Sequence, residues 1–221
     1  MKKNTFLAFA LVCILNLTGV LLGNQTIMWL TKPLMMPLLA WWLYQSAAPS
    51  RLRSGWLIGL LFSTLGDVLL MFPGSLFFLL GLSSFLIAHL AYIGAINVGL
   101  RGQRGFLIKN PLWILPFMAY PIALLVWLWP GIPEAMRIPV AVYAIVIATM
   151  AQSVCNLRGY VPAEMFKSMM LGAVLFVLSD SLIAVNKFGY AFSGAHVAII
   201  ATYVAGQWLL ARGVRMMDNL N

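Results

Sequence analysis

Acidic side chains are nearly missing from this chain. Five Asp and Glu stand among 221 residues, and charged residues of either sign make up only 9%, where an average soluble domain carries about 25%. An ordinary water-soluble globule is therefore excluded. Cysteine is scarce as well. Cys13 and Cys155 both lie inside apolar runs, which leaves no disulfide scaffold and no cysteine-based metal motif, and both read as buried thiols. Long polar connections are also lacking, so no soluble domain is expected beside the apolar segments. The formal net charge is +9, a balance that can point to nucleic acid. Here, however, the basic residues come singly or in twos and threes between apolar runs and read as membrane-flanking charges. No nucleic-acid partner is expected.

What the chain has in abundance is apolar sequence, at 62%. A bilayer core of roughly 30 Å needs about 20 apolar residues per helix, and eight candidate spans meet that need: Thr5 to Gly23, Pro33 to Ala48, Gly55 to Phe72, Leu76 to Leu100, Pro111 to Trp129, Ile138 to Cys155, Met165 to Asn186 and Ala191 to Ala211. Turn and charge signals such as Gly23-Asn24, Pro49-Ser50-Arg51, Pro73-Gly74 and Pro130-Gly131 separate them. The expected fold is all-α: a polytopic membrane bundle of eight transmembrane helices forming a single integral domain over 1–221. Lys2-Lys3 before an apolar run resembles a signal peptide, but no small-x-small site follows, so a retained first helix is expected. Lys2, Lys3, Arg51, Arg53, Arg101, Arg104, Lys109, Arg158, Lys167, Arg212 and Arg215 gather on one side against Lys32, Arg137 and Lys187 on the other. Because positive charge marks cytoplasmic loops, both termini are expected in the cytoplasm, with the protein in a bacterial inner membrane.

The two halves resemble each other. Asp67 and Asp180 follow similar apolar runs, Ala88-His89-Leu90-Ala91 matches Ala195-His196-Val197-Ala198, and Lys32-Pro33 has a looser counterpart in Arg137-Ile138-Pro139; the offsets are 113, 107 and 105 residues. A parallel four-plus-four repeat, with halves 1–105 and 106–221, is expected, with a site between the halves.

Hydropathy does not account for every ionisable residue. Glu134, Glu164 and Asp218 fall in loops or the tail, which leaves Asp67 and Asp180 inside spans. A carboxylate there costs about 2.5–3.5 kcal/mol on insertion scales, so such residues face the bundle interior and serve a purpose. Counting from the breaks at Pro73 and Lys187, each lies roughly 9–11 Å below the non-cytoplasmic end. His196 is expected about five residues into the last helix, and the repeat returns His89 to the same level if Gly74 to Gly81 is an irregular entry. Asp and His are metal ligands too, but no helix offers an i, i+4 pair, and no metal or other cofactor is expected. Lys32-Pro33 reads as the first turn of the second helix, its ammonium snorkelling or meeting a phosphate.

Several of these residues carry a resemblance. Thr31-Lys32-Pro33-Leu34, Gly66-Asp67-Val68-Leu69-Leu70, Ala88-His89-Leu90-Ala91-Tyr92, Val142-Tyr143-Ala144 and Ser179-Asp180-Ser181-Leu182 resemble the YhhN family of membrane proteins, which includes the lysoplasmalogenases. The resemblance runs in order from the second to the eighth helix and does not extend to the first. It implies hydrolysis of the vinyl ether bond of a lysophospholipid, with Asp67 and Asp180 as the catalytic pair. Lys32, His89, His196, Ser179, Tyr143 and Asn186 are then candidate substrate-binding residues. The chemistry suits two carboxyls: one donates a proton to the alkene, and the other, ionised, stabilises the resulting oxocarbenium ion and orients water. Without the resemblance, the same Asp and His residues would equally serve a proton-coupled transporter or a lipid-binding membrane protein. A zinc amidase would want a third intramembrane His, and the sequence has two.

Overall fold

A computed structural model describes residues 2–100 and 102–218; Arg101, counted above among the charges of one side, lies outside them. The chain is all-helical, about 85% helix, with no strand among the described residues. The helices are α1 (Lys2–Leu21), α2 (Gln25–Ser46), α3 (Arg51–Leu69), α4 (Ser75–Gly99), a single turn α5 (Phe106–Lys109), α6 (Leu115–Leu128) between 3-10 turns at Pro111–Ile114 and Trp129–Gly131, α7 (Glu134–Cys155), α8 (Ala163–Phe188) and α9 (Ala195–Asp218). A hydrocarbon environment offers backbone groups no water, so a spanning segment must satisfy them internally, as helices do. The protein is a multi-pass integral membrane protein.

Among the described residues seven segments are long and apolar enough to cross a bilayer: α1, α3, α4, the Pro111–Gly131 segment, α7, α8 and α9. The sequence led us to expect eight. The difference is α2, whose 22 residues are long enough but include Lys32, Gln25, Gln45 and two prolines. Its start also differs from expectation. Pro33 does not open the helix; α2 begins at Gln25, capped by the Asn24 side chain, which accepts from the Ile27 N–H at 3.1 Å after Gly23 turns the chain at φ 64°. Pro33 and Pro37 therefore lie in the helix interior, which membrane helices tolerate when neighbours satisfy the freed groups.

Phe6 near the start of α1 packs on Trp208 in the second half of α9, with ring centroids 6.0 Å apart, and on Trp42 of α2. The two ends of the chain thus share one face of the bundle. The opposite, distal face holds the α1–α2, α3–α4, α6–α7 and α8–α9 turns.

Glycine sets the closest helix contacts, as is usual where no hydrophobic force draws helices together in lipid. A Cβ on Gly59 of α3 would lie 2.1 Å from the Tyr92 ring of α4, and one on Gly206 of α9 would lie 3.0 Å from the Gly172 carbonyl oxygen of α8. Two tight hairpins, α3–α4 and α8–α9, result. They are joined where α4 packs on α7 and where α9 packs on α2 and α3. The Pro111–Gly131 segment stands apart, with only 6% of its apolar window buried.

Candidate active site

Each intramembrane carboxyl is held by a tyrosine from another helix. Asp67, in the last turn of α3, is 4% exposed and accepts from the Tyr203 hydroxyl of α9 at 2.7 Å. Asp180 of α8 accepts from the Tyr143 hydroxyl of α7. Fully buried His89 of α4 sets its Nε2 3.1 Å from the Tyr143 hydroxyl and 3.7 Å from the Asp180 carboxylate. Phe176 separates the two pairs, its ring centroid 4.8 Å from His89 and 5.5 Å from Tyr203. Asp67 still interacts electrostatically with Asp180 and with the Lys32 ammonium of α2.

These groups converge although their helices end at different places. Lys32 lies seven residues into α2, Tyr203 eight into α9, Tyr143 nine into α7, and Asp180 eight before the end of α8, all roughly 10–14 Å from the distal helix ends. Helix α3 stops short at Leu69, which puts Asp67 in reach from its final turn.

Two expectations need correction here. Lys32 is not at a helix entry, because α2 begins two turns earlier; it is half-buried within the bundle. His89 and His196 do not share a level. Helix α4 is regular from Ser75, with no irregular entry before Gly81, and α9 begins only at Ala195. His196 therefore sits exposed in a first turn, while His89 is fourteen residues into its helix.

Two small cavities border Asp180, and a larger one lies beyond Leu70. The larger, of about 560 Å³, is lined by Lys32, His196, Gln25, Trp29 and Phe72 and reaches Leu70. Leu70 also lines a cavity of about 50 Å³ that continues to Tyr143 and Asp180. On the far side of the same two residues lies a third, of about 70 Å³, under α6. The Ser179 hydroxyl donates to the Ile199 carbonyl at 3.0 Å and so joins α8 to α9. Asn186 is half-buried six residues beyond Asp180, about 9 Å along the helix. Beside it the Lys187 ammonium rests 4.2 Å from the Phe78 ring centroid.

Sequence reasoning passed over Tyr203 and the polar group behind it. Gln207, four residues after Tyr203 on α9, accepts from the Tyr92 hydroxyl at 3.1 Å. Its amide donates to Ser63 at 3.1 Å, and Ser63 lies 3.3 Å from the Tyr92 hydroxyl. A glutamine in the middle of an apolar span was the available signal. Among the described residues no three His, Cys, Asp or Glu side chains gather as a group able to hold a metal ion.

The model of the YhhN family matches residues 27–214. The chain belongs to the YhhN family. Similar proteins include the Lysoplasmalogenase of Mycobacterium tuberculosis, 33% identical over 162 residues covering 72% of this chain and 59% of that protein. Lysoplasmalogenase TMEM86B of Rattus norvegicus is 34% identical over 148 residues, covering 67% and 56%, and Lysoplasmalogenase TMEM86A of Bos taurus is 29% identical over 157 residues, covering 70% and 62%. The chain spans about three fifths of the length of the curated relatives it matches. No solved structure matches it.

Proposed function

We propose that this protein is a lysoplasmalogenase of the inner membrane, hydrolysing the vinyl ether bond of alkenyl-glycerophospho-ethanolamine or alkenyl-glycerophospho-choline to a fatty aldehyde and the glycerophospho-base. The observation that carries this reading is the pair of tyrosine-held carboxyls, of which Asp180 borders an apolar cavity that shares Leu70 with a lysine-lined one. The names of its relatives in the YhhN family support it.

The reaction adds a proton to the outer alkene carbon, leaves an oxocarbenium ion, and ends when water attacks that ion and the hemiacetal collapses. Asp180 lines the two smaller apolar cavities, where the alkene would lie, and in this reading it donates the proton. His89, touching Tyr143 and Asp180 at once, provides the route by which a proton returns. Asp67 supplies the opposing charge on the other side of Phe176. The Lys32 charge acts on Asp67 when the site is empty and on the lipid phosphate when it is full, a role for which Lys187, occupied with Phe78, is less suited. All these steps use side chains alone, as general acid–base chemistry permits.

The test is turnover by the purified protein in detergent, where no ion gradient exists. Aldehyde release from a lysoplasmalogen is expected, with Lys32→Met raising KM about tenfold more than Lys187→Met does, the scale of one charge-assisted contact. Binding without aldehyde release would instead assign the same residues to a carrier.

A further inference from the structure

Asp180 stands at the end of an apolar passage that opens sideways. The cavity of about 70 Å³ beside it is bounded by Tyr120, Leu124 and Leu128 of α6, Ile147 of α7 and Val177 of α8. A larger one, about 310 Å³, continues along the same three helices past Phe117, Ala148, Ala151 and Val174. The two share Tyr120, Pro121, Ile147 and Val177, so they are successive parts of one groove. Its roof is the segment with only 6% of its apolar window buried, which includes Pro116 and Pro121. The polar contact from that roof to the floor is the Tyr120 hydroxyl donating to Ser181 at 2.9 Å, on the residue next to Asp180.

We propose that this α6–α7–α8 groove binds the hydrocarbon chain of a single-chain lipid, which enters laterally from the bilayer, and that Ala148 and Ala151 on its floor set the chain length accepted. The inference rests on the reading of the protein as a lysoplasmalogenase. An alkyl chain in water-free surroundings needs only apolar walls, and the groove supplies them up to the point where the chain must present its polar end. That point is Asp180, and beyond it lie Leu70 and the Lys32 cavity, where a phosphate has a cation to meet. Small side chains at 148 and 151 keep the floor open. A loosely held α6 lets the roof part for a flexible chain, and the Tyr120–Ser181 contact closes it over the reacting end.

Ala148→Phe, made in the full chain, fills the groove. Its ratio of kcat/KM for a sixteen-carbon to a ten-carbon lysoplasmalogen should fall at least tenfold against the parent protein. A second measurement does not depend on turnover. An ester-linked lysophosphatidylcholine bearing a diazirine at its chain end is photolysed in the parent protein, and the labelled peptides are identified. Labels concentrated on the facing residues of α6, α7 and α8 support the groove, even if no vinyl ether is hydrolysed, in which case the activity falls and the groove stands. An unchanged chain-length ratio in a folded Ala148→Phe protein, or labels spread equally over the lipid-facing sides of α1 and α9, overturns it.

Discussion

Asp67 and Asp180 look like counterparts in sequence, but the bundle treats them differently. Asp67 is nearly sealed, its tyrosine on the same helix as Gln207, which bonds the buried Tyr92 and Ser63, and the Lys32 charge acts on it. Asp180 borders two cavities, and its tyrosine is shared with an imidazole whose Nδ1 has no partner among the described residues. One carboxyl is fixed in a rigid polar set, while the other meets open space with a group able to exchange protons beside it. Similar local sequence thus yields two different surroundings once the neighbouring helices differ.

The sharpest way to break this comparison is to neutralise each carboxyl. Asp180→Asn and Asp67→Asn should each lower kcat at least about a hundredfold, the usual scale for general acid–base catalysis, as measured by aldehyde release. Near-normal turnover in either variant would remove that carboxyl from the reaction. The pH profile refines the same contrast. If one carboxyl must be protonated and the other ionised, kcat/KM follows a bell whose limbs belong to the pair. The residual activity of each Asn variant should keep only one limb, and chelators should leave the parent bell in place.

Smaller effects separate the two surroundings. His89→Gln should cost more activity than His196→Gln by about tenfold, because His89 touches both Tyr143 and Asp180 whereas His196 is exposed at the mouth of the large cavity. Equal losses would return His196 to the centre of the site. Smallest is the gap between Tyr143→Phe and Tyr203→Phe. Tyr143→Phe removes the hydroxyl's bonds to Asp180 and His89 and Tyr203→Phe its bond to Asp67, each bond worth about 1 kcal/mol or roughly fivefold. Tyr203→Phe should show its loss mainly in thermal stability, since the nearly sealed Asp67 then loses its hydrogen-bond donor, and Tyr143→Phe mainly in kcat.

Much of this was legible in the sequence for a simple reason: apolar runs, turn residues and two misplaced carboxyls are local signals. The bundle and the positions of Asp67 and Asp180 within it followed from them. Helix boundaries near prolines did not. Lys32-Pro33 reads as a helix start by soluble-protein rules, but Asn24 caps α2 two turns earlier and the proline is absorbed. That displacement carried Lys32 from the membrane edge to the level of the carboxyls. The partner of Asp67 was also hidden, because Tyr203 and Asp67 are 136 residues apart and no pattern along one helix reveals which aromatic of another will turn toward it. Glycine pairing was equally silent: Gly172 and Gly206 matter because their backbones touch, a fact of two helices rather than of one.

The short distal end of α3 has a consequence for where the two products go. By stopping at Leu69 it leaves the large cavity to reach down to Leu70, while the proposed α6 groove lies on the other side of Asp180. Under the proposed activity, a lysolipid cleaved between them is divided across two phases. The glycerophospho-base departs into water through one mouth, and the aldehyde dissolves in the membrane through the other. Recombination would then require two molecules from immiscible surroundings to meet at the same carboxyl, so partitioning itself drives the hydrolysis forward.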